Sequence, residues 1–172
     1  MALYAERGFQ NTTVAEIAER AGLTERTFFR HFADKREVLF AGSEEFQELL
    51  VGTVAKASES TAPLDAVAAG LEAVSRMLQE RREFSRQRQT IIDANAELRE
   101  RELIKLANLG AALAEVLRKR GLDEPAASLT AEVGIAAFRV AYERWHREDG
   151  DRDLPELVTE SLNQLRTLSG RA

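Results

Sequence analysis

A helical spacing of apolar residues runs through almost the whole chain and limits its fold more than any other feature. Over 172 residues only three prolines interrupt it, and the helix-favouring residues Ala, Leu, Glu and Arg fill most of the rest. No stretch combines the period-two alternation of a strand with a high content of Val, Ile and Thr. The sequence therefore predicts an all-α protein.

Composition excludes several classes of protein. The hydrophobic content of 44% is enough to fill a core, so wholesale disorder is excluded. No run of about eighteen apolar residues occurs, so we expect no membrane span. Residues 1–8 lack the basic start and apolar stretch of a secretory signal. The absence of Cys removes disulfides, thiol catalysis and cysteine-bound zinc, and it fits a cytoplasmic protein.

The sequence gives little support for catalysis. The two histidines, His31 and His146, lie far apart in the chain, and there is no Gly-rich phosphate loop or nucleophile motif. We therefore expect no metal, no cofactor and no enzymatic activity. A helical-bundle enzyme that uses an apolar cavity remains a distant alternative.

Two short helices joined by a tight turn are predicted between residues 13 and 31. Thr13 and Glu16 have the spacing of a capping box at the start of the first helix, which ends at Gly22. Thr24 then caps the second helix. This pattern is typical of a helix-turn-helix, although spacing alone also fits an ordinary α-hairpin with solvated charges.

The second of these helices is expected to present a polar face that suits DNA. Phe28 and Phe32 point toward the first helix, which leaves Arg26 and Arg30 on the opposite side. An arginine there can pair with guanine, and a neighbouring threonine can contact a thymine methyl group or a phosphate. Lys35, in the first turn of the next helix, is placed to hold a phosphate.

Residues 11–39 closely resemble the DNA-binding domain of TetR-family repressors. The matching elements are Gly8-Phe9 ahead of Thr12-Thr13, then Ile17-Ala18, Ala21-Gly22, Thr27-Phe28-Phe29, His31-Phe32 and Asp34-Lys35. The resemblance implies a helix-turn-helix DNA-binding domain of three helices over residues 1–42, followed by a larger helical ligand-binding and dimerisation domain over residues 43–172. It also implies DNA contacts from Thr13, Thr24, Arg26, Thr27, Phe29, His31 and Lys35.

Two departures from the family pattern bear on DNA binding. Phe29 stands where members usually carry a tyrosine whose hydroxyl contacts a phosphate, so that contact is missing or replaced by an apolar one. The chain also begins at Met1 with only the last two turns of the usual first helix, and without the basic residues that precede it. Either the sequence is truncated or the protein binds DNA more weakly.

Residues 84–145 resemble, more loosely, the C-terminal domain of TetR-like regulators of the mycofactocin type, which is associated with acyl-CoA-like ligands. The resemblance is carried by Arg88, residues 94–102, Leu106, residues 112–114 and the end from Tyr142 to Trp145. Apolar residues here would line an elongated cavity with an arginine-rich mouth for nucleotide phosphates. The alternative is a packed core beside a solvated basic face. The predicted ligand-binding residues are Met77, Phe84, Arg88, Ile91, Ile92, Leu103 and Leu106.

The last two helices provide a basis for dimerisation. Both carry apolar stripes, and small residues such as Gly134 and Ala136 allow close helix approach, so two helices from each subunit would form a four-helix bundle. Packing of these helices against their own chain is the alternative. A two-fold dimer predicts a palindromic operator on double-stranded DNA. The predicted interface residues are Leu129, Val133, Ala137, Val140, Leu157, Leu162 and Leu165.

Together these features predict a ligand-responsive repressor, a homodimer that binds its operator and is released by a small apolar or acyl-CoA-like effector. The alternative is a helical dimer that binds a ligand or another protein without binding an operator. The net charge of −5 does not decide between them. Residues 1–42 hold six basic and six acidic residues, so the whole deficit belongs to the rest of the chain.

Overall fold

The structure is a computed structural model that describes residues 1–148 and 152–169. Within those residues it contains α-helices and a 3-10 helix but no strand, which confirms the all-α prediction. In chain order the helices are α1 (Ala2–Arg7), α2 (Val14–Arg20), α3 (Glu25–His31), the 3-10 helix (Lys35–Phe40), α4 (Ser43–Lys56), α5 (Pro63–Gln79), α6 (Arg82–Asp93), α7 (Ala96–Lys119), α8 (Glu124–Arg147) and α9 (Leu154–Ser169). A turn that the sequence suggests at residues 149–151 lies outside the described residues.

The apolar spacing from Lys35 into the fifties predicts one continuous helix, but Gly42 interrupts it. The structure ends the 3-10 helix at Phe40 and begins α4 only at Ser43. Between them Gly42 has a φ of +90°, which a residue inside a right-handed helix cannot have and which glycine adopts at the least steric cost. The 3-10 helix and α4 are therefore separate elements instead of one continuous helix.

The described chain forms two compact units. The first comprises Met1–Ser43 together with Glu83–Leu103, and the second comprises Glu44–Arg82 together with the chain from Ile104 onward. The predicted DNA-binding domain falls wholly within the first unit. That unit also includes most of α6 and the start of α7, which the resemblance assigns to the second domain.

The core of the first unit explains this difference. Its buried apolar residues form one cluster of Tyr4, Phe9, Leu39, Phe40, Ile91, Ile92 and Leu98. Arg88 adds to it, because its Nε donates to the Leu39 carbonyl at 2.7 Å and its guanidinium carbon lies 5.0 Å from the centre of the Phe40 ring. Domains of about 40 residues seldom stabilise themselves with a single apolar core. Residues 83–103 supply the apolar side chains that complete this one.

Helices α5, α8 and α9 pack against one another in the second unit. Its largest fully buried side chains include Leu50, Leu71, Leu113, Leu117, Trp145, Leu154 and Leu157. Gly134 of α8 lies so close to α5 that a Cβ atom there would be 2.6 Å from Cγ1 of Val67. Glycine therefore permits the close approach of α5 and α8. Among the described helices, none has the length and apolar character that a membrane crossing requires.

Candidate nucleic-acid interface

Helix α2 begins with the capping box predicted from the sequence. Thr13 Oγ1 accepts a hydrogen bond from the Glu16 amide at 3.3 Å, and Glu16 Oε2 accepts one from the Thr13 amide at 2.8 Å. The bond from the Thr13 amide is the largest cause that lowers the pKa of the Glu16 carboxyl, and Arg7 adds to it from 2.5 Å away. The box confirms the predicted start of the helix and satisfies amides that would otherwise lack a partner.

A short connection of four residues turns the chain from α2 into α3. The Leu23 amide donates back to the Ala18 carbonyl at 2.8 Å, and Gly22 has a φ of +68°, as in a Schellman ending. Thr24 then caps α3, because its Oγ1 accepts from the Thr27 amide at 3.2 Å. These contacts confirm the predicted helix-turn-helix.

Helix α3 buries one face and exposes the other. Phe28 is only 3% exposed and packs against Phe32, with ring centres 5.3 Å apart. Phe29 meets Phe28 edge-on at 5.4 Å, yet 53% of it is exposed. Arg26 and Arg30 are exposed as well. The outer face of α3 thus combines guanidinium groups with an aromatic ring, a combination suited to base edges, sugars and phosphates.

The structure brings together most of the residues predicted to contact DNA. They lie at or near the surface of the first unit, from the N-cap of α2 to the end of α3. Members of this group are Thr13, Thr24, Arg26, Thr27, Phe29 and His31. At the end of α3, Arg30 Nη2 lies 3.4 Å from Nε2 of His31, so these two side chains share one patch.

Lys35, which the resemblance assigns to DNA contact, is turned toward the protein in this structure. Its Nζ donates to the carbonyls of Phe9 at 2.8 Å, Gln10 at 3.2 Å and Thr12 at 2.9 Å, and it lies 4.5 Å from the centre of the Phe9 ring. A lysine ammonium has three N–H donors, so all of them point into the protein. The physical reason is that the turn between α1 and α2 aims three carbonyl oxygens at this position.

Two contacts in the first unit could not be predicted from the sequence. The Arg101 guanidinium pairs with Glu37 of the 3-10 helix at 2.6 Å, and Gln10 Nε2 donates to Glu97 at 2.6 Å. The partners are 64 and 87 positions apart, respectively, so no local spacing reveals them. Both contacts tie the start of α7 to the N-terminal helices.

The predicted ligand-binding residues are divided between the two units. Met77 and Leu106 belong to the second unit, and the other five belong to the first. Ile91 and Ile92 are 7% and 0% exposed in the core of the first unit, and Arg88 is held by the Leu39 carbonyl and by Glu102 at 3.2 Å. For these three the structure favours the packing alternative, because they complete the core of the N-terminal helices. The remaining members of the first unit, Phe84 and Leu103, are 49% and 56% exposed.

The predicted interface residues also fall into two groups. Leu129 and Val140 of α8 are 67% and 47% exposed, with Val133 half-buried and Ala136 exposed along the same face. We call these four residues the α8 stripe. The other predicted residues are less accessible: Ala137, Leu157 and Leu162 are buried in the core of their own unit, and Leu165 is half-buried. For Leu157 and Leu162 the structure favours packing within the chain, because α9 lies against α5 and α8.

Nothing in the described part of the chain forms an evident metal site, since no group of three His, Asp or Glu side chains is placed to hold an ion. An open groove of about 1040 Å³ lies along α9, and Pro155, Thr159 and Asn163 are among its lining residues. None of the predicted ligand-binding residues lines that groove. The most complete candidate site is therefore the helix-turn-helix surface.

Comparison with known proteins points the same way. Residues 1–41 match the model of the family described as bacterial regulatory proteins, tetR family, and residues 61–169 match the MftR C-terminal domain. The HTH-type transcriptional regulator TcmR of Streptomyces glaucescens is 35% identical over 72 residues, which are 42% of this chain. The match spans about a third of TcmR, namely 32% of its length.

Solved structures of similar fold cover nearly the whole chain. The TetR family transcriptional regulator PfmR of Thermus thermophilus is 25% identical with a TM-score of 0.52, over 95% of this chain and 92% of that one. The TetR family transcriptional repressor FadR of the same organism, solved in complex with lauroyl-CoA, has a TM-score of 0.60 at 24% identity, over 96% and 89% of the two chains. At this identity the similarity to FadR concerns the fold alone.

Proposed function

The chain belongs to the TetR family of bacterial regulatory proteins, and we propose that it is a ligand-responsive repressor that binds a palindromic operator as a dimer. The observation that carries the proposal is the outer face of α3. A capped helix that holds Phe28 inward and leaves Arg26, Phe29 and Arg30 exposed has the form of a recognition helix. Its role as a transcriptional regulator follows from the family.

In the proposed complex α3 enters the major groove. Arg26, in the first turn of the helix, pairs with a guanine edge, the commonest specific contact that arginine makes. The hydroxyl of Thr27 lies 3.1 Å from that of Thr24, so the two threonines form one polar patch beside the groove. The remaining proposed contacts to the sugar–phosphate backbone and to methyl groups come from Thr13, Phe29 and His31.

The proposed dimer contact is the α8 stripe. Leu129, Val133 and Val140 lie along one face of a long helix, and covering their exposed apolar surface stabilises a dimer. A two-fold dimer that binds successive turns of the duplex has its two recognition helices about 34 Å apart or somewhat farther. The operator would then be palindromic.

The proposed effector is an apolar or acyl-CoA-like molecule. Its support is the match of residues 61–169 to the MftR C-terminal domain, together with the lauroyl-CoA held by FadR. An effector that binds more tightly to a state with wrongly spaced recognition helices shifts the population toward that state and releases the operator.

The proposal is tested by selecting duplexes from a random pool with the whole chain. We expect enrichment of a palindrome, and we expect Arg26→Ala to weaken binding to it by about 1 to 3 kcal/mol while relaxing the preference at one base pair of each half-site. Lys56→Met, a charge loss on α4, serves as the control. Absence of any sequence enrichment would overturn operator binding and favour a ligand-binding or protein-binding dimer.

The effector is tested separately on the selected duplex. Lauroyl-CoA is titrated into the protein–DNA complex, with free CoA as the control that lacks the acyl chain. We expect lauroyl-CoA to dissociate the complex and free CoA to leave it intact. Unchanged binding in both titrations would contradict the acyl-CoA proposal without affecting the proposal of operator binding.

A further inference from the structure

Lys35 connects the two ends of the helix-turn-helix. It follows α3 in the chain, and its ammonium bonds to carbonyls in the turn that precedes α2. Its partners lie 23 to 26 positions earlier, so the bonds bracket both helices of the motif. A single side chain thus closes the loop that contains the proposed recognition surface.

The turn that receives Lys35 is itself fixed. Phe9 is 2% exposed and Thr12 is fully buried, and the Thr12 hydroxyl donates to the Gly8 carbonyl at 2.8 Å. Tyr4 holds Lys35 from the other side, because its hydroxyl donates to the Lys35 carbonyl at 2.5 Å. Both the main chain and the side chain of Lys35 are therefore anchored on the segment around α1.

The ammonium is not available to a second partner. Swinging Nζ out to a DNA phosphate would break three charge-assisted hydrogen bonds and leave the partly buried carbonyls of Phe9 and Thr12 without this donor. It would also remove the cation from the face of the Phe9 ring. A phosphate supplies one new contact in exchange for these.

We infer that Lys35 is a positioning residue, which clamps the helix-turn-helix in one shape for DNA, and not a phosphate contact. The inference rests on the proposed operator binding. The positively charged ammonium of Lys35 then binds backbone carbonyls of its own chain instead of DNA. The affinity for DNA then depends on Lys35 through the placement of α2 and α3, not through the release of counterions.

The dependence of affinity on salt separates the two roles. A phosphate contact contributes about 0.9 to the slope of log affinity against log salt, so its loss flattens the line. For Lys35→Met we expect about tenfold weaker binding to the selected duplex with a slope equal to that of the wild type. A slope reduced by about 0.9 for each lysine removed would overturn the inference. Lys56→Met is the matched control and should leave both affinity and slope unchanged.

Replacement of Lys35 by arginine tests independently whether Lys35 is a clamp or a phosphate contact. Lys35→Arg keeps the charge, but a planar guanidinium fork does not reproduce an ammonium whose three donors diverge toward three carbonyls. We expect Lys35→Arg to bind the duplex nearly as poorly as Lys35→Met. Recovery of wild-type affinity by arginine would support a phosphate contact and contradict the clamp.

The wild-type protein provides a test that needs no variant. Ammonium protons held by three hydrogen bonds exchange slowly with water, so the Lys35 side chain should give a nitrogen–proton NMR signal in the free protein. We expect this signal to persist at the same position when the duplex is added. A signal that appears only with DNA would overturn the clamp. Failure of the wild type to bind any duplex would overturn the proposed function, and the signal of the free protein would still test the clamp.

Discussion

Phe29 is an apolar side chain on a surface otherwise suited to phosphates and base edges. About half of it is exposed, 53%, while its edge rests against the buried Phe28 ring. Phe28 therefore fixes the direction of the Phe29 ring without covering it. The free part of the ring is available for sugars and thymine methyl groups, but it offers a phosphate no hydrogen bond.

We predict that Phe29→Tyr strengthens operator binding. About half of Phe29 is exposed, 53%, so the added hydroxyl should disturb little packing. One hydrogen bond to a phosphate is worth about 1 kcal/mol, or about fivefold in affinity. Titration of the selected duplex measures the change, and the thermal midpoint of the free protein should stay the same. Equal or weaker binding by Phe29→Tyr would show that Phe29 does not face the DNA backbone.

The Glu16 carboxylate gives the start of α2 a predictable response to acid. Its pKa is lowered chiefly by the bond from the Thr13 amide, so its contribution to stability is complete above the ordinary value of 4.5 and is lost as pH falls through the lowered value. We predict that Glu16→Gln makes the free energy of unfolding less dependent on pH in this acidic range. Urea unfolding of both proteins between neutral and acidic pH measures it, and parallel profiles would contradict the prediction.

At the scale of single residues, local signals predict much of the site and long-range contacts do not. Thr13, Thr24 and Gly22 could be assigned because a cap or a turn depends on residues only a few positions away. The inward direction of Lys35 could not, since its partners are backbone oxygens in a distant turn. The sequence shows which residues are charged, but it does not show whether a charged side chain faces solvent or backbone carbonyls.

At the scale of the elements, the contact between α5 and α8 depends on Gly134. The sequence pattern suggests this small residue for close helix approach in a dimer, whereas in the structure it lies within the chain, against Val67. Gly52 of α4 is a helical glycine of the opposite kind, because a Cβ atom there would meet nothing within 4 Å. The two positions form a matched pair.

We predict opposite effects for the two alanine substitutions. Gly134→Ala forces a methyl group against Val67 and should lower the free energy of unfolding by about 1 to 3 kcal/mol. Gly52→Ala should raise it by up to about 1 kcal/mol, because alanine favours a helix more than glycine does. Urea unfolding of both variants measures these changes. A stabilised Gly134→Ala protein would mean that α5 and α8 are not in close contact.

The helices themselves were largely predictable, for a physical reason that also explains the exceptions. Caps and apolar spacing are local, so the bounds of α2 and α3 follow from the sequence. The separation of the 3-10 helix from α4 depends on the backbone conformation of Gly42, which composition does not reveal. The addition of residues 83–103 to the first unit depends on burial of Ile91, Ile92 and Leu98 beside distant partners.

At the scale of the whole molecule, the α8 stripe is the exposed apolar surface that we propose as the dimer contact. Three of its four members, Leu129, Ala136 and Val140, are exposed in the single chain, so a change at these positions should affect self-association far more than folding. In this respect the α8 stripe differs from Leu157 and Leu162, because their replacement would leave a cavity in the core of the second unit. The stripe can therefore be tested without unfolding the protein.

We predict that the double substitution Leu129→Glu and Val140→Glu abolishes the proposed dimer at micromolar concentration. Placing like charges across a two-fold contact opposes association and should cost about 2 kcal/mol or more. Sedimentation velocity measures the oligomeric state, and the thermal midpoint of the second unit checks the fold. Leu103→Glu, at another exposed leucine, should leave the dimer unchanged. A double variant that remains a dimer would exclude the α8 stripe as the interface.

The first unit is built from two separate stretches of sequence, and this limits how its DNA preference can be transferred. A chimeric regulator that receives only Met1–Ser43 inherits the helix-turn-helix but not the Ile91, Ile92 and Leu98 side chains of its core. It also loses the Arg88 bond to the Leu39 carbonyl and the Arg101 pair with Glu37. Transfer of the proposed operator specificity to another protein would therefore require exchange of both stretches, with Glu83–Leu103 moved together with Met1–Ser43.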